Sequence, residues 1–341
     1  MNLTQSDTPM IATRPPPLVS VVMPVHNGET YLAEAVESIL SQTMGDFEFV
    51  VIDDASTDGT RDLLRTFEEQ DERMRVFLRP RGGVVKSLNF GLAACRSNLV
   101  ARMDADDVAY PDRLEVQVAE MKRRPEVLVL GGAYDLTDSA GRMLRRHWPP
   151  EDDAALQAMC LDGQTPIGHP TALMRRDAVI ACGGYDEDLE WAEDIDLWLR
   201  LGERGRLACV RHPVLRYRQH DKSVSEQRAQ EQADRIREAC VRAYKRRGLT
   251  RVFRAPPAWR PTGEDARYRF LLTYGWWAFK SAQRTTAMTY GFKAVQRRPM
   301  SAESWSLLYA SMLKPMPTPP EAPPSTARRA VAADAAAVRA A

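Results

Sequence analysis

Three carboxylates fall within four positions in Met103-Asp104-Ala105-Asp106-Asp107, directly after the apolar run Leu99-Val100-Ala101. A strand that ends in clustered acids incurs mutual repulsion and a desolvation cost, and a divalent cation bridging anionic phosphates relieves both. The chemistry offered is that of a metal-diphosphate site, set against the bland reading of a solvated acidic turn. A second acid pair, Asp53-Asp54, follows the run Phe49-Val50-Val51-Ile52, and Ser56, Thr57 and Asp58 after it suit a helix cap near Gly59. Capping and turn formation would also account for Asp53 and Asp54. A third pair, Glu193-Asp194, precedes Ile195-Asp196-Leu197-Trp198-Leu199-Arg200, whose apolar spacing marks a helix, so this pair is expected at a helix start facing a cleft.

The elements that must position these acids alternate between strand and helix. Leu18 to Met23 stops at Pro24, and the loop His26-Asn27-Gly28-Glu29 leads to a helix over Thr30 to Gln42. Helices follow at Thr60 to Glu69, Val84 to Cys95 and Arg113 to Lys122, with strands at Met74 to Leu78, Leu99 to Arg102 and Val127 to Leu130. This is the rhythm of a parallel sheet, in which ligands bind outside the carboxyl ends of the strands. After Gly131-Gly132 the pattern becomes irregular: a short run Ala133 to Leu136, a turn at Ser139-Ala140-Gly141 and an acid-led helix from Glu151. Residues 227–314 read as helices rich in Arg and aromatics, broken around Arg254 to Gly263. Their cluster Phe270, Leu271, Leu272, Trp276, Trp277, Phe279, Tyr290 and Phe292 suits core packing better than a membrane patch.

These segments closely resemble the family 2 glycosyltransferases of the GT-A fold. The likeness is carried by Val19 to Leu32, Ser38 to Thr43, Val51 to Thr60, Lys86 to Leu92, Arg102 to Asp107, Pro111 to Leu114 and Ala192 to Arg200, and it covers roughly Pro17 to Ser225. The resemblance implies an α/β, GT-A type doubly wound, mostly parallel nucleotide-binding sheet with an acceptor-side insertion and a C-terminal helical region. It implies that Pro24, Val25, Asn27 and Glu29 line the base and ribose pocket, that Asp54 accepts from the nucleobase, and that Lys86 and Asn89 face phosphates or ribose. Asp104 would contact ribose or a metal-bound water, and Asp106 would ligate Mg2+ or Mn2+, with Asp107 orienting it. His220 would reach the diphosphate or its metal. By the same resemblance Asp194 is the catalytic base that takes the acceptor hydroxyl proton; Glu193 is expected to orient rather than react, and His169, on an expected strand and packed or contacting acceptor, and Trp191 are expected on the acceptor side.

The implied activity is metal-dependent, inverting transfer from a nucleoside-diphosphate sugar, a UDP-sugar foremost, to a hydroxyl of a glycan or lipid-linked acceptor in cell-surface polysaccharide or glycoconjugate synthesis. The Gln-x-x-Arg-Trp signature of processive synthases does not occur, which favours one sugar per encounter. A sugar-phosphate nucleotidyltransferase would carry a Gly-x-Gly-x-Arg loop where this chain has Pro24-Val25-His26-Asn27-Gly28. A non-catalytic scaffold would be expected to have lost Asp106 or Asp194, and both are present.

The 341 residues are 44% hydrophobic and 27% charged, enough for a catalytic domain and an appendage. No apolar run reaches the length of a bilayer span, and the first residues lack a signal peptide's apolar core, so a cytoplasmic protein is expected, peripheral on the membrane at most. Five scattered cysteines without a Cys-x-x-Cys pair argue against zinc or a disulfide framework. The net charge of +1 hides an asymmetry: residues 1–226 hold 26 Lys or Arg against 38 Asp or Glu (−12), and residues 227–341 hold 21 against 8 (+13). A basic C-terminal region suits an anionic membrane or glycan, or simply pairs with the acidic half. Nucleic acid is not expected, since no binding motif accompanies the charge. The expected organisation is a flexible leader (1–17), a catalytic domain (18–226), a helical region (227–314) and a Pro-rich and Ala/Arg disordered tail (315–341).

Overall fold

A computed structural model describes residues 15–220, 229–254 and 265–318. The leader up to residue 14, all but Arg254 of the break expected around Arg254 to Gly263, and the tail from residue 319 lie outside the described residues, as does the expected domain boundary at 226/227.

The N-terminal half is wound as expected. It runs β1 (Val19–Val25), α1 (Leu32–Leu40), β2 (Phe47–Asp54), α2 (Thr60–Gln70), β3 (Met74–Arg79), α3 (Val84–Ala94) and β4 (Leu99–Arg102). The strands lie in the order β3-β2-β1-β4, all parallel, with Val22 opposite both Val50 and Arg102. Because side chains alternate along a strand, Val21 and Val51 enter one core with Leu32, Ile39 and Leu114, while Val22 and Val50 enter the other with Leu88 and Trp198. The second layer demands a glycine. A Cβ on Gly91 of α3 would lie 2.5 Å from a Val22 methyl and 2.9 Å from Ile52 Cδ1, so only glycine lets α3 sit this close to the sheet.

Beyond β4 the sheet becomes mixed. The elements are β5 (Val108–Ala109), α4 (Arg113–Arg123), β6 (Val127–Thr137), β7 (Met143–His147), α5 (Asp153–Leu161), β8 (Leu173–Arg175), α6 (Arg176–Ala181), α7 (Glu193–Leu201) and β9 (Arg206–Arg218). The order continues β8-β6-β9-β5, with β7 on β6; β4 and β6 both pair antiparallel with β8, and β6 runs parallel to β9. One expectation is corrected here: β6 does not end at Leu130 but passes through Gly131-Gly132. These glycines read as punctuation, yet they serve close packing, since a Cβ on Gly131 would meet Cys209 Sγ and Ile167 Cγ2 at 2.9 Å, and one on Gly132 both Val214 methyls at 2.8 Å. The acid-led helix is α5, whose N-cap Asp152 accepts from the Ala155 amide at 2.8 Å.

Among the described residues four further helices follow: α8 (Ala229–Arg246), α9 (Ala266–Lys280), α10 (Arg284–Arg297) and α11 (Ala302–Leu313). Part of the expected aromatic cluster packs, namely Phe270, Leu271, Trp277 and Tyr290, while Phe292 is exposed. Tyr274 and Tyr290 share a small core with Leu136 of β6 and Leu144 of β7, and the Arg145 guanidinium lies 4.2 Å from the Trp277 ring centre. The Tyr290 hydroxyl donates to Asp138 at 2.9 Å, tying the helices to the β6–β7 turn. None of the described helices is long and apolar enough to cross a membrane. All five cysteines are unpaired thiols, and four of them are buried.

Candidate active site

At the carboxyl end of β1 and β2 the two expected nucleotide loops are tied to each other. Asn27, in a left-handed conformation (φ 52°), donates its amide to Ser56 Oγ and accepts from the Thr57 amide at 2.8 Å. The Gly28 amide donates to Thr60 Oγ1, the Glu29 amide to Asp58, and the Gly59 amide to the Glu29 carboxylate at 3.0 Å. Pro24 and Val25 lie opposite Ile52 and Asp53 in the parallel register. Asp53 is wholly buried and accepts from the Ser56 amide and Arg61, which is the turn-forming role. Asp54 accepts from the Gly82 amide at 2.6 Å and the Gly83 amide at 3.0 Å and pairs with Arg81 at 2.9 Å. Its two oxygens thus fix the glycine turn before α3, and spare lone pairs of a carboxylate remain for a base donor.

Lys86, in the first turn of α3, is exposed and 3.9 Å from Glu187. Asn89, expected to face phosphates or ribose, is bonded to the loop before α7. Its amide donates to the Tyr185 carbonyl and its oxygen accepts from the Tyr185 amide, both at 2.9 Å, so it ties α3 to that loop.

The acid cluster forms at the end of β4. Carboxylate oxygens of Asp104, Asp106 and Asp107 lie within 4.8 Å of one another. Burial raises the Asp104 carboxyl, opposed by its pairing with Arg102 and reinforced by Asp106. Asp107 is almost wholly buried and pushed well above the usual range by that burial and by its two acidic neighbours. One of its oxygens accepts from the Arg218 amide at 2.8 Å, while the other, also buried, has no hydrogen-bond partner among the described residues. His220 Nε2 sits 2.9 Å from Asp106 Oδ2. Three converging acids, one orphaned buried carboxylate oxygen and an imidazole on the second acid form a donor set suited to a hard divalent cation. The residues that hold the last two acids come from far along the chain: Arg218 closes β9, and His220 follows just after it.

Glu193 and Asp194 open α7 as expected. Burial lifts Glu193 to about 7, with Asp194 adding to the rise, and lifts Asp194 to about 6, against a hydrogen bond from the Ile195 amide at 2.7 Å. Arg102, 4% exposed, lowers both carboxyls and pairs with Asp104, so one buried guanidinium lies within electrostatic reach of the acid cluster and the acid pair. His169 is corrected from a strand to a 3-10 turn, His169–Thr171. Buried beside Tyr185 (3.0 Å to its hydroxyl) and Glu193 (3.7 Å), and facing the Trp198 edge, its imidazole is held neutral by burial and by Arg102. Trp191, with φ 78°, lies just before this pair, and its carbonyl accepts from Gln232 of α8 at 3.2 Å.

The family described as glycosyl transferase family 2 matches residues 20–183. The chain is 35% identical over 193 residues to EpsE of Bacillus subtilis, covering 55% of this chain and 68% of that protein. It is 32% identical over 200 residues to the amylovoran biosynthesis glycosyltransferase AmsE of Erwinia amylovora, covering 58% and 72%. The chain belongs to glycosyl transferase family 2. Among its other relatives is the O-antigen biosynthesis glycosyltransferase WbnJ of Escherichia coli, 29% identical with 61% and 82% covered. The crystal structure of S. aureus TarS 1–349 in complex with UDP-GlcNAc superposes with a TM-score of 0.55 over 86% of this chain and 79% of that one; at 17% identity that likeness is one of GT-A fold.

In this family 2 glycosyltransferase, buried Arg218 extends the site beyond the motifs, and Arg102 and Tyr31, inside them, join it. Arg218 donates from its backbone to Asp107, from Nε to the Asp106 carbonyl, and from its guanidinium to Glu34, and it lies 4.6 Å from the Tyr31 ring. Tyr31 in turn lies 5.1 Å from the His220 ring. A charged residue near the end of a long strand was the one available signal for Arg218, and for Arg102 it was its position at the start of the acid motif.

Proposed function

We propose that the protein transfers a sugar, with inversion, from a nucleoside-diphosphate sugar to an acceptor hydroxyl, and that the arrangement around Asp194 carries this reading. A carboxylate poised near neutral pH at the start of α7 matches what a general base requires. In the step, Asp194 takes the proton of the acceptor hydroxyl as that oxygen bonds to the anomeric carbon, and the bond from that carbon to the diphosphate oxygen breaks. Burial and the nearby Asp104 charge keep Asp194 basic, with Glu193 beside it in the orienting role; His169 and Trp191 stand on the acceptor side. Asp104, Asp106, Asp107 and His220 would hold a divalent cation, Mg2+ or Mn2+, whose positive charge stabilises the departing diphosphate. Asp54 and the tied loops Pro24 to Glu29 would receive the base and ribose, with Lys86 facing the phosphates.

UDP is the favoured donor nucleotide, supported by the fold likeness to a UDP-GlcNAc complex and by the family resemblance. The names of AmsE and WbnJ point to a growing surface polysaccharide or a lipid-linked glycan as the acceptor. Calorimetric titration with UDP, GDP and dTDP, with Mn2+ and with EDTA, tests the assignment. UDP is expected to bind at least about tenfold more tightly with the metal, and Asp106→Asn should abolish that difference while leaving the unfolding midpoint in place. Identical nucleotide binding with and without metal in the wild type would remove the metal from the reading.

A further inference from the structure

Helix α11 buries one face and exposes an apolar one. Ser304, Leu307, Leu308, Ala310 and Ser311 pack inward, whereas Trp305, Tyr309, Met312 and Leu313 are 53%, 58%, 47% and 68% exposed. At about 100° per residue these four fall within an arc of roughly 100°, opposite the packed face. Single exposed apolar residues are ordinary on a protein surface, but a continuous stripe along a helix is not. Met300, 95% exposed, extends it, and the Trp305 indole donates to the Pro299 carbonyl at 2.7 Å, holding the ring against the α10–α11 turn. The ends of the stripe are cationic. Arg297 and Arg298 flank the turn, and at the other end Lys314 follows α11, whose last carbonyls accept from Arg284.

We propose that this face docks on an anionic lipid bilayer, with α11 lying in the plane of the interface. Residues 265–318 carry eight Lys or Arg against two Asp or Glu, a net of +6. That charge complements acidic headgroups, and it opposes a second copy, which would bring the same +6 against it. Trp and Tyr favour the headgroup layer, where a ring is buried and its polar atom stays wet. Between α9 and α11 a cleft of about 620 Å3, walled by Leu272, Trp276, Trp277 and Ala302 with Lys280 and Glu303, continues the apolar surface beside Trp305. None of these residues belongs to the acid cluster, so the surface stands whether or not the donor assignment does.

Vesicle flotation with phosphatidylglycerol-containing and pure phosphatidylcholine liposomes, at low and high salt, tests this. The wild type is expected to partition about tenfold more strongly onto the anionic vesicles and to be released by salt. The variant Trp305→Ser/Tyr309→Ser/Leu313→Ser should lose about tenfold of that binding, and Arg297→Glu/Lys314→Glu should lose it at low salt. Both should bind nucleotide as the wild type does, which separates a lost surface from a lost fold. Equal partitioning of wild type and both variants overturns the proposal. So does a concentration-dependent dimer that the triple variant abolishes, since α11 would then be an interface between copies.

Discussion

Replacing Asp194 by Asn should cost activity and gain stability. The Asp194 carboxyl is raised from an ordinary 3.8 to about 6, chiefly by burial. Between about pH 4 and pH 6 the unfolded chain therefore releases a proton that the folded protein retains, and stability falls as pH rises through that window. The penalty is absent below about pH 4 and complete above about pH 7. A rise of about two pH units, at ~1.4 kcal/mol for each, sets a ceiling of about 3 kcal/mol, part of it shared with Glu193. Asparagine keeps the oxygen that accepts from the Ile195 amide and carries no charge. Urea unfolding should thus find Asp194→Asn about 1–3 kcal/mol more stable than wild type at pH 8 and nearly equal at pH 4, with turnover lower by about 10²–10⁴. Wild-type turnover should fall about tenfold per unit below pH 6. A variant with wild-type turnover, or with the same stability difference at both pH values, would refute the role and environment assigned to this carboxyl.

Two further substitutions probe how the site is held. Gly91→Ala forces a methyl into Val22 and Ile52 and should destabilise by about 1–3 kcal/mol in thermal or chemical unfolding, whereas an unchanged midpoint would deny that α3 is set by this contact. Tyr290→Phe removes a hydrogen bond to the buried Asp138 and should cost about 1–2 kcal/mol, with faster amide exchange in α10 than in β1 as the sign that the helical unit has loosened locally.

The placement of the three acid groups was legible because the sequence puts each of them together: Asp104 to Asp107, Asp53-Asp54 and Glu193-Asp194 each sit where an apolar pattern ends or begins, and local spacing alone puts them at strand ends or a helix start. The first seven elements followed for the same reason. What escaped depends on distant partners. The partner of Asn89, Tyr185, is 96 residues away, so nothing local announces that bond. Arg218 meets Asp107 across 111 residues, and no periodicity reveals such a meeting. Gly131-Gly132 looked like a break because glycine is permissive, while Cys209 and Val214 made its small size the operative property. His169 lost its expected strand to a turn fixed by Pro170 and by burial among aromatic neighbours.

The laced loops after β1 and β2 have a bearing on how such an enzyme could change its donor. Residues 26–29 and 54–60 exchange contacts in both directions: main chain of the first to side chains of the second, and side chains of the first to main chain of the second. Neither segment keeps its shape without the other, so a graft of one loop from a relative with a different nucleotide would arrive in a cradle cut for another strand's residues. With the nucleotide seated on these loops as proposed above, donor preference would be inherited as a pair of segments, and selection for a new base would move through variants that alter both at once or through substitutions outside the lacing, such as Arg81 or Lys86.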